Sequence, residues 1–291
     1  AAVRILDTLG ALPYVLPELM ALKGLQQSTP HVNEAWEHTL DLLNRLQSIL
    51  DVLSPQYNEA GASNLILGMA VLKLGRYHTQ IAGHFAEQLN PDRSLRALLN
   101  FAALYHDVGK PLTCTVDAGG RTRFFEHDHL GADVVISRAH ALRLSNDEIE
   151  RLRLVVYHHM RPSHLAHSGV PTRKAVYHYF KDLGEAGVDV CLLSLADTLA
   201  TYGATLPQDK WAGLLDVVRC LLENWWERPQ ETIFPQPLVN GHDLMQTLGI
   251  HPGPRLGEIL EAIREAQAEG QITTRDEALA FAAKYANHPS M

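Results

Sequence analysis

The chain has 291 residues, of which 46% are apolar and 20% charged, and its net charge is −8. That is the profile of a globular protein with ample core, and it excludes a disordered chain. It also speaks against a surface built to grip long nucleic acid, which would show a basic stripe.

No apolar run approaches the ~20 residues of a membrane span, and no basic stretch leads into an apolar one at the N-terminus. Three scattered cysteines, Cys114, Cys191 and Cys220, make no disulfide framework. A cytoplasmic protein with no membrane partner is therefore expected. The first residue is alanine rather than methionine, so a processed, tagged or excised chain is expected as well.

In chain order, residues 1–30 read as an N-terminal helical cap. "NEAWEHTLDLLNRLQSIL" opens on a cap at Asn33 and carries the stripe His38, Leu42, Leu46, Ile49 and Leu53, a helical period. "LRALLNFAALYHD" repeats the pattern with Leu95, Leu98, Leu99 and Ala102, which puts His106 on the core face beside Asp107. Gly109, read as a left-handed cap, and Pro111 should stop that helix. Residues 113–125 are the one hairpin-like piece.

His127 then starts a helix with Gly131 one turn on, small enough for close packing. "SNDEIERLRLVVYHHM" opens with a Ser145–Glu148 capping box. Its stripe Ile149, Leu152, Val156 leads to His159, while His158 falls on the mixed face with Glu148 and Arg151. "GVDVCLLSLADTLATYG" is apolar nearly all round and should be central, with Asp197 in its middle. Proline-rich 228–241 reads as an extended linker, followed by two or three short amphipathic helices. The fold class is all-α, divided into a cap (1–30), a helical core domain (31–205) and an acidic helical tail (206–291).

Sixteen histidines are the unusual feature of the composition. One histidine on an apolar face is ordinarily a hydrogen-bonded core residue, and one buried aspartate ordinarily a cap. His38, His106, Asp107, His127, His159 and Asp197 are six such residues on five helices. Packing those helices together converges four imidazoles and two carboxylates, which is an electrostatic failure without a central cation. Mixed imidazole and carboxylate donors suit Mn, Fe, Co, Ni or Zn better than Mg or Ca.

The order His38, His106-Asp107, His127, His159, Asp197 resembles the HD superfamily of metal-dependent phosphohydrolases, with "YHDVGKP" similar to its central motif. "LGALPYVLPELMALKGLQQSTPHVNEAWEHTL", "FFEHDHLGAD", "HHMRP" and "GHDLMQTLGIHPGPRLGEIL…EGQITTRDEALAFA" resemble the C-terminal two-thirds of bacterial CCA-adding enzymes and poly(A)-polymerase-like proteins. In those proteins an HD domain follows a nucleotidyltransferase head. No Gly-Ser or Gly-Gly segment precedes a paired-aspartate strand here, so that head is expected to be absent. Residues 54–94 lengthen the gap before the HD pair and are expected to form an extra helical hairpin covering the site. His242-Asp243 is a helix start in the resembling proteins, with Asp243 a cap rather than a ligand. Asp128 is read either as a dipole partner of its helix or as a group orienting its neighbour His127.

The resemblance implies an all-α HD bundle holding two divalent transition-metal ions (Mn, Fe, Ni, Co or Zn). His38, His106 and Asp197 would hold one and His127 and His159 the other, with Asp107 bridging. Ions about 3.5–4 Å apart activate a water for in-line attack on phosphorus. Asp107 and Lys110 are the catalytic candidates. Lys110 and Arg161 are expected at the rim, where a phosphate could be held, although a solvated lysine and a helix-end arginine explain them equally. His158 completes the substrate-binding candidates. The implied substrates are small phosphodiesters and monoesters, above all 2′,3′-cyclic nucleotides, nucleoside monophosphates or RNA ends. Two alternatives stand beside this reading: a non-catalytic RNA-binding portion of a split or truncated tRNA nucleotidyltransferase, and a di-iron HD oxygenase.

Overall fold

Helix α12, Ala186–Tyr202, is apolar or small on almost every face, and nearly all of it is buried. A helix of that composition must be covered from several sides. In the computed structural model, which describes residues 2–57 and 64–287, the covering is done by α3 (Ala35–Val52), α9 (Asn146–His158), α10 (Arg161–Ala166) and α6 (Leu95–Tyr105). α8 (His127–Ala141) pairs with α9 along much of its length. The class is all-α, as the periodicities predict. No described helix is long and apolar enough to cross a membrane.

Local chemistry fixes the helix ends. The Ser145 hydroxyl accepts from the Glu148 amide while Glu148 returns the bond to the Ser145 amide, and Arg93 grips the same carboxylate at 2.6 and 3.0 Å. Helix α3 is capped by Glu34, whose carboxylate accepts from the Glu37 amide, and not by Asn33. Upstream, the short helices α1 (Ala2–Thr8) and α2 (Leu12–Val15) lead into a 3-10 turn, Pro17–Leu22. Leu12, Leu19 and Leu22 are buried, and Glu18 accepts from Tyr105 and pairs with Arg138. Those bonds pin the N-terminal segment to α6 and α8.

The hairpin expected at 113–125 is β3 (Cys114–Val116) with β4 (Thr122–Phe124), antiparallel, Thr115 opposite Arg123. A second small ribbon, β1 (Gln88–Asn90) with β2 (Arg93–Ser94), is too short to have shown a period of two. Between 54 and 94 lie α4 (Leu65–Leu74) and α5 (His78–Ala86); residues 58–63, in the middle of that expected hairpin, are outside the described residues. α4 is tied to α13 (Gln208–Trp226), where Trp211 donates to the Ile66 carbonyl and Lys73 pairs with Asp216.

The chain forms two compact units, and their limits differ from the boundaries at 30/31 and 205/206 expected from composition. One comprises Ala1–Val170 and Glu185–Arg219, the other Pro171–Gly184 and Cys220–Met291. In the second, α11 (Arg173–Leu183) packs on α14 (Pro229–Thr232) and α16 (Pro254–Glu269). α14 interrupts the proline-rich stretch read as extended throughout. With α15 (Gly241–Leu248) and α17 (Arg275–Asn287), α16 buries Leu244, Ile259, Ile263, Ala278 and Ala282.

Candidate metal centre

Within the first unit, α3, α9 and α12, the end of α6 and the start of α8 converge on one point. α6 ends at Tyr105, and the turn that follows holds His106 and Asp107, both buried, before α7 (Lys110–Thr113) begins with Pro111 in its first turn. Gly109, at the hinge, has φ −78° and is not the left-handed cap expected of it. Its glycine identity has another cause. A Cβ there would lie 2.0 Å from the His127 carbonyl oxygen and 2.7 Å from the Gly131 amide nitrogen. Gly109 and Gly131 thus let the turn touch the first turn of α8, which brings His127 beside Asp107.

Three of the four imidazoles are oriented by one device. The Nδ1 atoms of His106, His127 and His159 bond to the carbonyls of Ala103, Phe124 and Val156, each three residues upstream, at 2.7–2.8 Å. A carbonyl only accepts, so each Nδ1 carries the hydrogen and each neutral ring turns a bare Nε2 inward. What those atoms meet is carboxylate oxygen. Asp107 Oδ2 lies 3.0 Å from His106 Nε2 and 3.7 Å from His38 Nε2, while its Oδ1 lies 3.4 Å from His127 Nε2 and 3.9 Å from His159 Nε2. Asp197 Oδ1 is 3.0 Å from His38 and 3.8 Å from His106. Two groups result, His38–His106–Asp197 and Asp107–His127–His159, each with its donor atoms within 4.8 Å of one another.

The fit to a cation follows from what these atoms lack. Both ring nitrogens of His38 and Nε2 of His106 are buried without a hydrogen-bond partner, and Asp107 Oδ2 has the Lys110 ammonium at 2.6 Å as its charged neighbour. Nitrogen lone pairs aimed at carboxylate oxygens repel unless a proton or a metal ion lies between them. Burial opposes ionisation of both carboxylates, but the facing imidazoles, and Lys110 for Asp107, hold both below the usual carboxylate range. Burial likewise opposes protonation of His106, and the charge of Asp107 overrides it and raises that pKa. His159, buried and beside His106 and His127, is lowered to about 4. It is therefore a neutral donor. Four imidazoles and two ionised carboxylates suit transition-metal ions.

A cleft of about 560 Å³ opens onto Asp107, His127, His159 and Asp197. Lys110 lines it but is buried rather than at the rim, with its ammonium 2.6 Å from Asp107 Oδ2 and 2.5 Å from Gln27 Oε1. Neither Arg161 nor His158 is on its wall; Arg161 starts α10 and His158 ends α9, stacked edge-on with Tyr157. Basic residues on the cleft come instead from the hairpin and α13: Arg121, Arg123 and Lys210. No described residue of 54–94 lines it, so α4 and α5 do not cover the site. Asp128 lies in the first turn of α8. Asp243 accepts from the Asn240 amide and pairs with Arg275, which is a capping role.

His31 was not singled out by its spacing, because it sits in a coil with no helical stripe to align it. It lines the cleft with its ring 5.4 Å from that of His38, and its Nδ1 contacts the Ser28 carbonyl at 3.3 Å. Burial, then the charges of Lys110 and His38, lower its pKa to about 4. A second buried ionic cluster was also missed: Asp189, on α12, meets His84 at 2.7 Å and Arg151 at 2.5 Å.

The HD domain family matches residues 76–202, and a family described as tRNA nucleotidyltransferase domain 2, putative, matches residues 234–283. Across 280 residues, 96% of the chain, there is 32% identity to the CC-adding tRNA nucleotidyltransferase of Thermus thermophilus, 51% of which is covered. The A-adding tRNA nucleotidyltransferase of Deinococcus radiodurans is 30% identical over 275 residues, covering 87% of this chain and 59% of that protein. The CC-adding enzyme of Synechocystis is 30% identical over 153 residues, about half of this chain and a third of that protein. The chain thus spans between half and three-fifths of the first two relatives.

Proposed function

We propose, on the premise that the chain carries an HD domain followed by a tRNA nucleotidyltransferase tail, that the cluster is a binuclear metal centre of a cytoplasmic phosphohydrolase. The carrying observation is the two-sidedness of Asp107: one oxygen faces His38 and His106, the other His127 and His159. His38, His106 and Asp197 would hold one ion, His127 and His159 the other, with Asp107 shared. Bound there, divalent Mn, Fe, Ni, Co or Zn would supply Lewis acidity toward water and phosphate oxygens. The carbonyl bonds at Nδ1 keep those imidazoles oriented with Nε2 toward the centre. Lys110, fixed by Gln27, neutralises Asp107 and supplies ammonium hydrogens on the cleft wall. His31 offers its Nε2 as an acceptor for a substrate hydroxyl. Substrates that fit are phosphodiesters and monoesters, among them 2′,3′-cyclic nucleotides and RNA ends.

The test is hydrolysis of bis(p-nitrophenyl) phosphate and 2′,3′-cyclic AMP by protein stripped with chelator and then reloaded. Activity should vanish on stripping and return with manganese, cobalt or nickel. Hydrolysis indifferent to chelator, or absent from protein shown to be metal-loaded, contradicts the proposal.

The match at 234–283 and the names of the relatives favour a second reading, in which this chain is the tRNA-contacting portion of a tRNA nucleotidyltransferase and its metal centre is structural. Tight tRNA binding by metal-loaded protein that hydrolyses neither ester would select it.

A further inference from the structure

Beyond the metal ligands, the cleft has its own charge pattern. On a chain of net charge −8, its charged lining apart from Asp107, Lys110 and Asp197 is Arg121, Arg123, Lys210 and one carboxylate, Glu126. Arg123 is paired with Asp117 at 3.0 Å. Arg121 donates to the Thr29 carbonyl, which carries no net charge, and Lys210 lies over the Tyr202 ring at 5.3 Å. Among the described residues neither of these two cations has a carboxylate partner. They come from different elements, the hairpin and the start of α13, and both face the cleft.

Aromatic surface accompanies them. Phe125 is 73% exposed although it lines the cleft, and Tyr202 lines it beside Lys210. Tyr202 follows Asp197 by five residues on α12, about 7–8 Å of helix axis, or roughly two steps of a stacked strand at 3.4 Å each. The cleft also continues past the ligands. Lys210, Thr198 and His167 line an adjoining space of about 210 Å³, along with the exposed carboxylate Asp209. Cations along a groove with aromatic rings among them, here exposed Phe125 and half-buried Tyr202, are the recognition pattern for single-stranded nucleic acid. A lone mononucleotide with its phosphate at the metal centre has no second anion for Arg121 or Lys210.

We infer that Arg121 and Lys210 form a subsite for backbone phosphates next to the reacting one, with Phe125 and Tyr202 stacking bases, and that the site acts on the end of a short single strand in preference to a mononucleotide. This inference rests on the phosphohydrolase reading and names its substrate class. The net negative charge fits it, since a few local cations can hold a strand end while the remaining surface repels a long polyanion.

The test compares manganese-loaded full chain on 2′,3′-cyclic AMP and on a tetraribonucleotide ending in a 2′,3′-cyclic phosphate. The tetramer should have the higher kcat/KM, by roughly tenfold or more, with a log–log salt slope of about 0.7 for each phosphate contacted. Arg121→Gln and Lys210→Gln should each reduce that preference several-fold, through KM, and flatten the slope by about 0.7. Phe125→Ala should reduce it roughly tenfold. Arg153→Gln, whose guanidinium pairs with Glu150 away from the cleft, should leave the preference as it is. Equal kcat/KM for the two substrates, or a preference that survives both charge removals, overturns the inference. Should loaded protein cleave neither, the phosphohydrolase reading fails, and fluorescence anisotropy of a labelled tetramer decides the subsite separately. Binding weakened by Arg121→Gln and Lys210→Gln sustains it; binding that is absent or indifferent to them refutes it.

Discussion

Replacing Gly109 by alanine is a small change with a large expected effect. The backbone at Gly109 is ordinary, with φ −78°, and at such a site the lower entropy of the unfolded chain would favour alanine by about 0.4–1 kcal/mol. The added Cβ, however, would lie 2.0 Å from the His127 carbonyl oxygen, where real Cβ contacts stay above 3.0 Å. The turn and the first turn of α8 must therefore separate by at least about 1 Å. Backbone cannot fold aside as a flexible side chain can, so overpacking of about 1–3 kcal/mol is expected, a loss of several degrees in Tm for a unit of this size. The same shift carries His127 away from Asp107 Oδ1, now 3.4 Å from its Nε2, when metal coordination tolerates about 0.2 Å. Thermal unfolding and metal content measured on one preparation should show a lower Tm and loss of the ion on the His127 side. Gly213→Ala is the control, because a Cβ there meets nothing within 4 Å; it should be neutral or stabilising. A Gly109→Ala protein as stable and metal-rich as Gly213→Ala refutes the close-approach argument.

Asp107→Asn should lower phosphodiester hydrolysis by on the order of 10²–10³-fold with loss of metal, whereas Asp243→Asn, in its capping box, should change neither; equal activities would remove Asp107 from the site. His159→Ala should lose metal and His158→Ala keep it, and the reverse ranking by metal analysis would assign the wrong histidine. Arg151→Met leaves Asp189 buried without its guanidinium and should cost about 3–5 kcal/mol in denaturant unfolding; a loss below 1 kcal/mol would show that the cluster contributes little. Burial opposes the charge on His84, but hydrogen bonds to Asp189 and Glu185 prevail and raise its pKa. Its contribution to stability is then complete below about pH 6.5, the unfolded value, and is lost as pH rises through the folded value. Tm of wild type should accordingly fall relative to His84→Gln across that window, and parallel profiles would contradict the assignment.

The parts of the fold legible in the sequence were those with a long period. The stripe through His38 on α3, the one ending at His159 on α9, and the all-round apolar character of α12 each fixed a helix and its buried face. The six clustered residues were visible for the same reason, each being a polar group where an apolar one was due. Residues placed by tertiary contact left no such trace. His31 sits in a coil and Gln27 meets Lys110 across 83 positions. Arg121 and Lys210 reach one cleft from segments that nothing local connects. Lys110 was expected at the rim, and its burial depends on Asp107 and Gln27 together. Gly109 was attributed to its own backbone when the cause lay in α8.

Metal stoichiometry tests the central claim most directly. Elemental analysis of purified protein after manganese loading and desalting should give two ions per chain for wild type, about one for His159→Ala and for Asp197→Asn, and less than two for Asp107→Asn, with phosphodiester hydrolysis falling alongside. Wild-type protein that retains no transition metal, or an Asp107→Asn protein that retains both ions and full activity, would contradict the account.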